Sequence, residues 1–193
     1  MTGRDFDLTA ILRPYAGRIH VAPIVIKHGA LAETASLFRK ALPQGAWLVA
    51  ADANTERIAG GAVMRGLKAA GLDTELVVLE PQHAGSPLVA DEGKVAEMAQ
   101  RIRTSPRPVK AVISVGAGTV TDIVKRSTFL CKIPYAAVAT APSMNGYTSP
   151  IAAILAAGVK AVHEGHVPNF VCGSSVVAQS ATRRGGSGGE THA

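Results

Sequence analysis

Gly116, Gly118, Thr119, Thr121, Asp122 and Lys125 crowd into the single segment Gly116-Ala117-Gly118-Thr119-Val120-Thr121-Asp122-Ile123-Val124-Lys125. The apolar Val112-Ile113-Ser114-Val115 before it is short and β-branched, as in a strand covered on both faces. Glycines at the turn let the backbone approach a ligand with no Cβ in the way. Thr119 and Asp122 stand at the spacing of an acidic capping box, which predicts a helix starting at Val120. A helix N-terminus presented on glycine is an anion site, and the commonest large anion there is a nucleotide phosphate. Thr121 replaces the third glycine of the G-x-G-x-x-G fingerprint. The turn alone therefore fits a ligand-free βα corner as well as it fits a phosphate site.

A second polar loop follows about one βα unit later. Tyr135 to Ala139 is apolar and runs into Thr140-Ala141-Pro142-Ser143-Met144-Asn145-Gly146-Tyr147-Thr148-Ser149-Pro150. Two successive strands thus deliver polar loops at their carboxyl ends, where open α/β sheets bind ligands. Together the two segments resemble the sn-glycerol-1-phosphate dehydrogenases, within the superfamily of iron-containing alcohol dehydrogenases, glycerol dehydrogenases and dehydroquinate synthases. The likeness runs from about Pro23 to Arg184, and it implies a helix closing the domain at Val176 to Arg184.

These segments need a scaffold, and the chain alternates strand and helix patterns throughout. Strands are predicted at Val21 to Lys27, Trp47 to Ala51, Thr74 to Leu79, through Val115, at Tyr135 to Ala139 and at Asn169 to Cys172. Helices are predicted at Ala30 to Leu42, Glu56 to Ala70 and Asp91 to Arg103, where Val95, Met98 and Ile102 mark a buried stripe. Met98 reads as core filler. Such alternation predicts an α/β, Rossmann-like, mostly parallel sheet with helices on both faces. Met1 to Arg18 is expected to be irregular or weakly helical and to pack on the sheet edge, and Ile151 to Val162 fits a small hairpin or a helical piece equally. One α/β domain is expected over residues 1–184, followed by a flexible glycine-rich tail over 185–193.

Three further residue groups have two readings each. Asp52, just past a strand end, either accepts hydrogen bonds from ribose hydroxyls or caps the next helix. Lys125 either adds charge near phosphates or is a solvated lysine. His163-Glu164-Gly165-His166 is one residue short of H-E-x-x-H, and its glycine favours a solvent-exposed loop over a metal site.

The resemblance implies more than the residues do alone. It implies NAD or NADP held by Asp52, Gly116, Gly118, Thr119, Val120, Thr121 and Asp122, with Asp122, Thr140, Ser143 and Ser149 on the nicotinamide side. It favours the ribose role for Asp52. Asn145 takes the place of a substrate-contacting aspartate and keeps hydrogen bonding without the charge. The family's all-helical second domain, which supplies a catalytic Zn, Fe or Ni site, is expected to be missing, and no metal ligands are assigned in this chain. The expected activity is reduction of dihydroxyacetone phosphate to glycerol 1-phosphate by a cofactor-binding half. A glycerol dehydrogenase, a dehydroquinate-synthase-like enzyme and a non-catalytic dinucleotide-binding remnant or partner subunit are the alternatives.

Composition narrows the classes. An apolar fraction of 47% over 193 residues suits one globular core. The formal charge of +6 comes from scattered Lys and Arg, with no basic stripe for nucleic acid, and suits an anionic small molecule. Cys131 and Cys172 form no Cys-x-x-Cys pair and read as reduced thiols. No signal sequence or membrane span is read, so a cytoplasmic enzyme is expected, with homo-oligomer formation left open.

Overall fold

The computed structural model describes residues 13–15 and 23–174. Eight strands form in it: β1 (Ile24–Ile26), β2 (Ala46–Ala51), β3 (Thr74–Val78), β4 (Val109–Gly116), β5 (Tyr135–Ala139), β6 (Ile151–Ala156), β7 (Val159–Glu164) and β8 (Phe170–Gly173). Six of them make one sheet in the order β1-β8-β5-β4-β2-β3, parallel at every pairing. The remaining two, β6 and β7, pair antiparallel as a separate hairpin. The Rossmann-like parallel sheet expected from the sequence is present.

Helices cover both faces. On one face lie α1 (Thr34–Ala41), entered through a 3-10 turn at Ala30–Glu33, and α2, a continuous helical run over residues 53–69. Phe38, Val63 and Leu67 pack there on the odd-numbered residues Val49, Ile113 and Val115 of the sheet. On the other face, α3 (Glu92–Thr104) and α4 (Gly118–Cys131) set Met98, Ile123 and Val124 on the even-numbered Leu48, Ala50 and Val112. Strand residues alternate between faces, so a β-branched, doubly apolar strand such as β4 feeds both cores at once. Each fully buried Leu, Ile or Phe in these layers contributes roughly 1.5–3 kcal/mol.

Several element ends differ from expectation. The run of α2 starts at Ala53, three residues earlier than predicted, because Asp52 caps it. Its middle turn, Glu56–Gly60, is a π-helix. Asp91 lies outside α3 as its N-cap, accepting from the Lys94 amide at 2.8 Å. The ambiguous segment after Pro150 is the β6–β7 hairpin, not a helix. The strand predicted from Val21, the Met1 to Arg18 segment, the helix implied at Val176 to Arg184 and the boundary at residue 185 fall wholly or partly outside the described residues.

Candidate functional site

Since all six strands of the main sheet run parallel, their carboxyl ends share one edge. β2 leads to α2 on one face, whereas β4 leads to α4 on the other. The chain therefore departs in opposite directions from two adjacent strands, which opens a crevice between them at the usual ligand position of such sheets. A cleft of about 620 Å³ lies there, walled by Asp52, Asn54, Arg57, Ser86 and Thr119. A second hollow of about 240 Å³, walled by Met144, Asn145, Tyr147 and Gly173, lies over the ends of β5 and β8. The turn after β4 stands between the two.

Each glycine of that turn has its own reason. A Cβ on Gly116 would come within 2.5 Å of Val120 Cβ, so Gly116 permits close packing of α4 on its own strand. The nearest atom to a Cβ on Gly118 is Met144 Cγ at an ordinary 3.7 Å, so internal packing does not demand glycine there. The helix begins at Gly118, not at Val120, and its N-cap Ala117 offers no side-chain bond. The expected Thr119–Asp122 capping box does not form, because the Asp122 carboxylate is engaged elsewhere. The Thr121 amide donates to Ala117 O at 3.0 Å, which leaves the amides of Gly118, Thr119 and Val120 as the first-turn donors. A helix terminus with uncapped amides on an accessible glycine fits a phosphate group.

The 140–150 loop is brought directly against this turn. The Thr140 amide donates to Gly116 O at 3.3 Å, and the Tyr147 hydroxyl donates to the same oxygen at 3.1 Å. Tyr147 Oη also accepts from the Ala141 amide, so one buried phenol ties both loops together. Thr140 is buried, Ser143 and Asn145 are exposed at the rim, and Ser149 Oγ accepts from the Ile151 amide. Val120 and Thr121 are buried, and Thr121 Oγ1 has no hydrogen-bond partner.

Asp52 does both things its position allows. Its Oδ1 accepts from the Thr55 amide at 2.7 Å, in a reciprocal capping box, while the residue still lines the larger cleft. Asn54 beside it accepts from Arg57 Nη2 at 2.9 Å.

Asp122 and Lys125 form a polar cluster beneath the second loop. Lys125 is fully buried, and its Nζ donates to Gly146 O and Ile151 O, both at 2.9 Å, with Asp122 Oδ1 at 3.6 Å. Neither sequence reading of Lys125, phosphate contact or solvated lysine, describes it. Burial lowers its pKa, against the opposing pull of Asp122, and burial likewise raises the Asp122 carboxyl against the pull of Lys125. Asp122 Oδ2 accepts from the Ala153 amide at 3.3 Å. Removing one member of a buried pair of this kind costs about 3–5 kcal/mol. Thr121, Lys125 and Thr128 recur at four- and three-residue intervals on α4, a polar stripe that could have marked this buried face in the sequence.

The expected exposed loop at residues 163–166 is instead a strand end and a packed turn, and only Glu164 of the four is exposed. His163 and Glu164 end β7, Gly165 is buried, and a Cβ on it would come within 2.8 Å of Lys125 Cγ. The His166 ring lies against Tyr135. Among the described residues, no three His, Cys, Asp or Glu side chains cluster so as to hold a metal ion. No described helix is long and apolar enough to cross a membrane.

Fold and site edge define a doubly wound α/β domain of the kind that binds ligands at its carboxyl edge. Within that class, the chain belongs to the iron-containing alcohol dehydrogenase family, whose model matches residues 25–180. It is 31% identical over 150 residues to the NAD(P)+ glycerol-1-phosphate dehydrogenase of Geobacillus thermodenitrificans, covering 78% of this chain and 36% of that protein. The corresponding Bacillus subtilis protein is 34% identical over 118 residues, covering 61% of this chain and 29% of its own length. The chain spans about a third of the length of the curated relatives it matches. Among solved structures, glycerol dehydrogenase from Schizosaccharomyces pombe superposes with a TM-score of 0.68 at 19% identity, over 83% of this chain and 39% of the other. An iron-containing alcohol dehydrogenase gives 0.69 at 13% identity, over 82% and 47%. These two likenesses concern the fold.

Proposed function

We propose that this chain is the dinucleotide-binding part of an NAD(P)-dependent dehydrogenase of the sn-glycerol-1-phosphate type, which reduces dihydroxyacetone phosphate to glycerol 1-phosphate. The observation that carries the reading is the junction of the two loops at Gly116 O, which sets the uncapped start of α4 between two hollows on one sheet edge. The names of the curated relatives support the substrate class.

In this reading the first-turn amides of α4 hold the pyrophosphate, and Gly118 lets the backbone come close enough to do so. The Asp52 oxygen not used in capping takes an adenosine ribose hydroxyl. Thr140, Ser143 and Ser149 border the nicotinamide side, and Asn145 offers its amide to the substrate at the rim. Asp122 shapes that side through its bond to the hairpin. A bound nicotinamide supplies the hydride chemistry, and the chain's own residues bind, orient and exclude water. The described residues bring together no set of three His, Cys, Asp or Glu side chains to hold a catalytic metal.

Titration of the purified chain with NADH and NADPH, followed by nicotinamide fluorescence, tests the proposal. Saturable binding is expected, weakened about tenfold by Gly118→Ala through loss of close backbone approach. Gly116→Ala is expected to lower stability instead, by about 1–3 kcal/mol in denaturant unfolding, since its Cβ overpacks against Val120. A folded wild-type chain that binds neither nucleotide sinks the reading. A parallel assay of dihydroxyacetone phosphate reduction with added divalent metal shows whether the chain also turns over.

A further inference from the structure

The outer edge of β6 is not paired to another strand of the hairpin or the sheet. Its polar groups are taken one by one: Ile151 O by Lys125 Nζ, the Ala153 amide by Asp122 Oδ2, and the Leu155 amide by Ala90 O at 2.8 Å. Two side chains of α4, together with a single parallel bridge from Asp91 to Leu155, thus stand where a neighbouring strand would be and satisfy an edge that would otherwise be open. The same Nζ reaches Gly146 O in the loop before the hairpin. One ammonium, with no exposed surface, therefore holds two carbonyls that bracket residues 146–151. Tyr147, inside that bracket, is the residue whose hydroxyl meets Gly116 O. Gly165 completes the arrangement, because any larger residue there would push into the lysine stem.

We propose that Lys125 is a positioning residue: by clamping the Gly146 and Ile151 carbonyls it fixes the 140–150 loop against the Gly116 turn and so builds the nicotinamide side of the site. The proposal rests on the dinucleotide reading above for its functional consequence, though the clamp itself is a statement about the loop. A buried ammonium has three donors to place, and backbone carbonyls at fixed positions serve that need as well as a ligand would. The clamp lies on one side of the α4 terminus only. The Asp52 cleft is on the other, so loss of the clamp leaves the adenosine half in place.

The test compares NADH with ADP-ribose, which has no nicotinamide, on the full chain and on Lys125→Met and Gly165→Ala. Lys125→Met removes the donors, and Gly165→Ala displaces the lysine stem without touching the site. The expected result is about tenfold weaker NADH binding, a loss of the blue shift of bound NADH emission, and ADP-ribose affinity within about twofold of wild type. Amide exchange at residues 146–153 is expected to quicken about tenfold in both variants, with Gly165→Ala the milder. Should Lys125→Met fail to fold, Gly165→Ala decides. Unchanged NADH affinity and unchanged loop exchange in a folded variant overturn the clamp. Wild-type protein that binds neither ligand overturns the dinucleotide reading instead, and the exchange data then judge the clamp alone.

Discussion

The His166 imidazole lies flat on the Tyr135 ring, with centroids 5.3 Å apart and planes 16° from parallel, and its Nε2 is 3.0 Å from Thr128 Oγ1. Burial, and then the charge of Lys125, holds its pKa below the ordinary 6.5. As pH falls through 6.5 the unfolded chain takes up a proton that the folded one resists, so His166 favours folding above that pH and opposes it progressively below. His166→Gln is therefore expected to flatten the loss of denaturant stability between about pH 7.5 and 5.5. Asp122, whose raised carboxyl acts with opposite sign above its ordinary 3.8, is present in both proteins and cancels in the comparison. An equal slope in the variant would rule out His166 as the group responsible. Types and spacing in the sequence marked this histidine as a loop residue, because the ring's partners, Tyr135 and Thr128, come from elements distant in the chain. Lys125 escapes both of its sequence readings for the same reason, since the two carbonyls it serves lie more than a helix away.

The β6–β7 hairpin closes through a two-residue turn with both central residues at positive φ, Ala157 at 47° and Gly158 at 80°. That geometry matches the right-handed twist of the strands, and it is normally filled by Asn-Gly or Asp-Gly. Alanine in the left-handed region costs roughly 1 kcal/mol. Ala157→Asn is accordingly expected to raise the thermal midpoint by about 1–4 °C, read by calorimetry. A midpoint that stays put or falls would contradict the positive φ. The Ala-rich sequence concealed the hairpin because neither period two nor period 3.6 stands out in it. What selects the strand form is external: α4 offers Asp122 and Lys125 to its open edge, and Ala152 and Ile154 bury their side chains. A similar choice moved the start of α4, since Asp122 bonds the hairpin rather than capping its own helix.

Across the molecule, the charge of +6 gives an anionic ligand a favourable field of the kind that salt screens. Nucleotide affinity is therefore expected to fall between 50 and 300 mM salt, conditions over which the Debye length shrinks to about half or less, and to fall more steeply for NADPH than for NADH because of the extra phosphate. Identical salt slopes for the two would show that the field does not reach the adenosine end. Sheet closure is also a property of the whole: β8 inserts between β1 and β5, so the strand nearest one end of the described chain is held by the strand nearest the other. No local pattern announces that pairing.

Strand and helix alternation, the apolar runs and the two polar loops follow from the residues themselves, because periodicity and glycine placement act over a few positions. Those features were enough to specify a Rossmann-like sheet and to name the turn at Gly116 and the loop at Thr140. Tertiary structure alone decided which groups remain available there. It committed Asp122 and Lys125 to a strand edge, and the Thr140 amide and Tyr147 hydroxyl to Gly116 O. The reason is that buried polar atoms must find partners wherever the packed chain brings them, and those partners are set by contacts between distant segments.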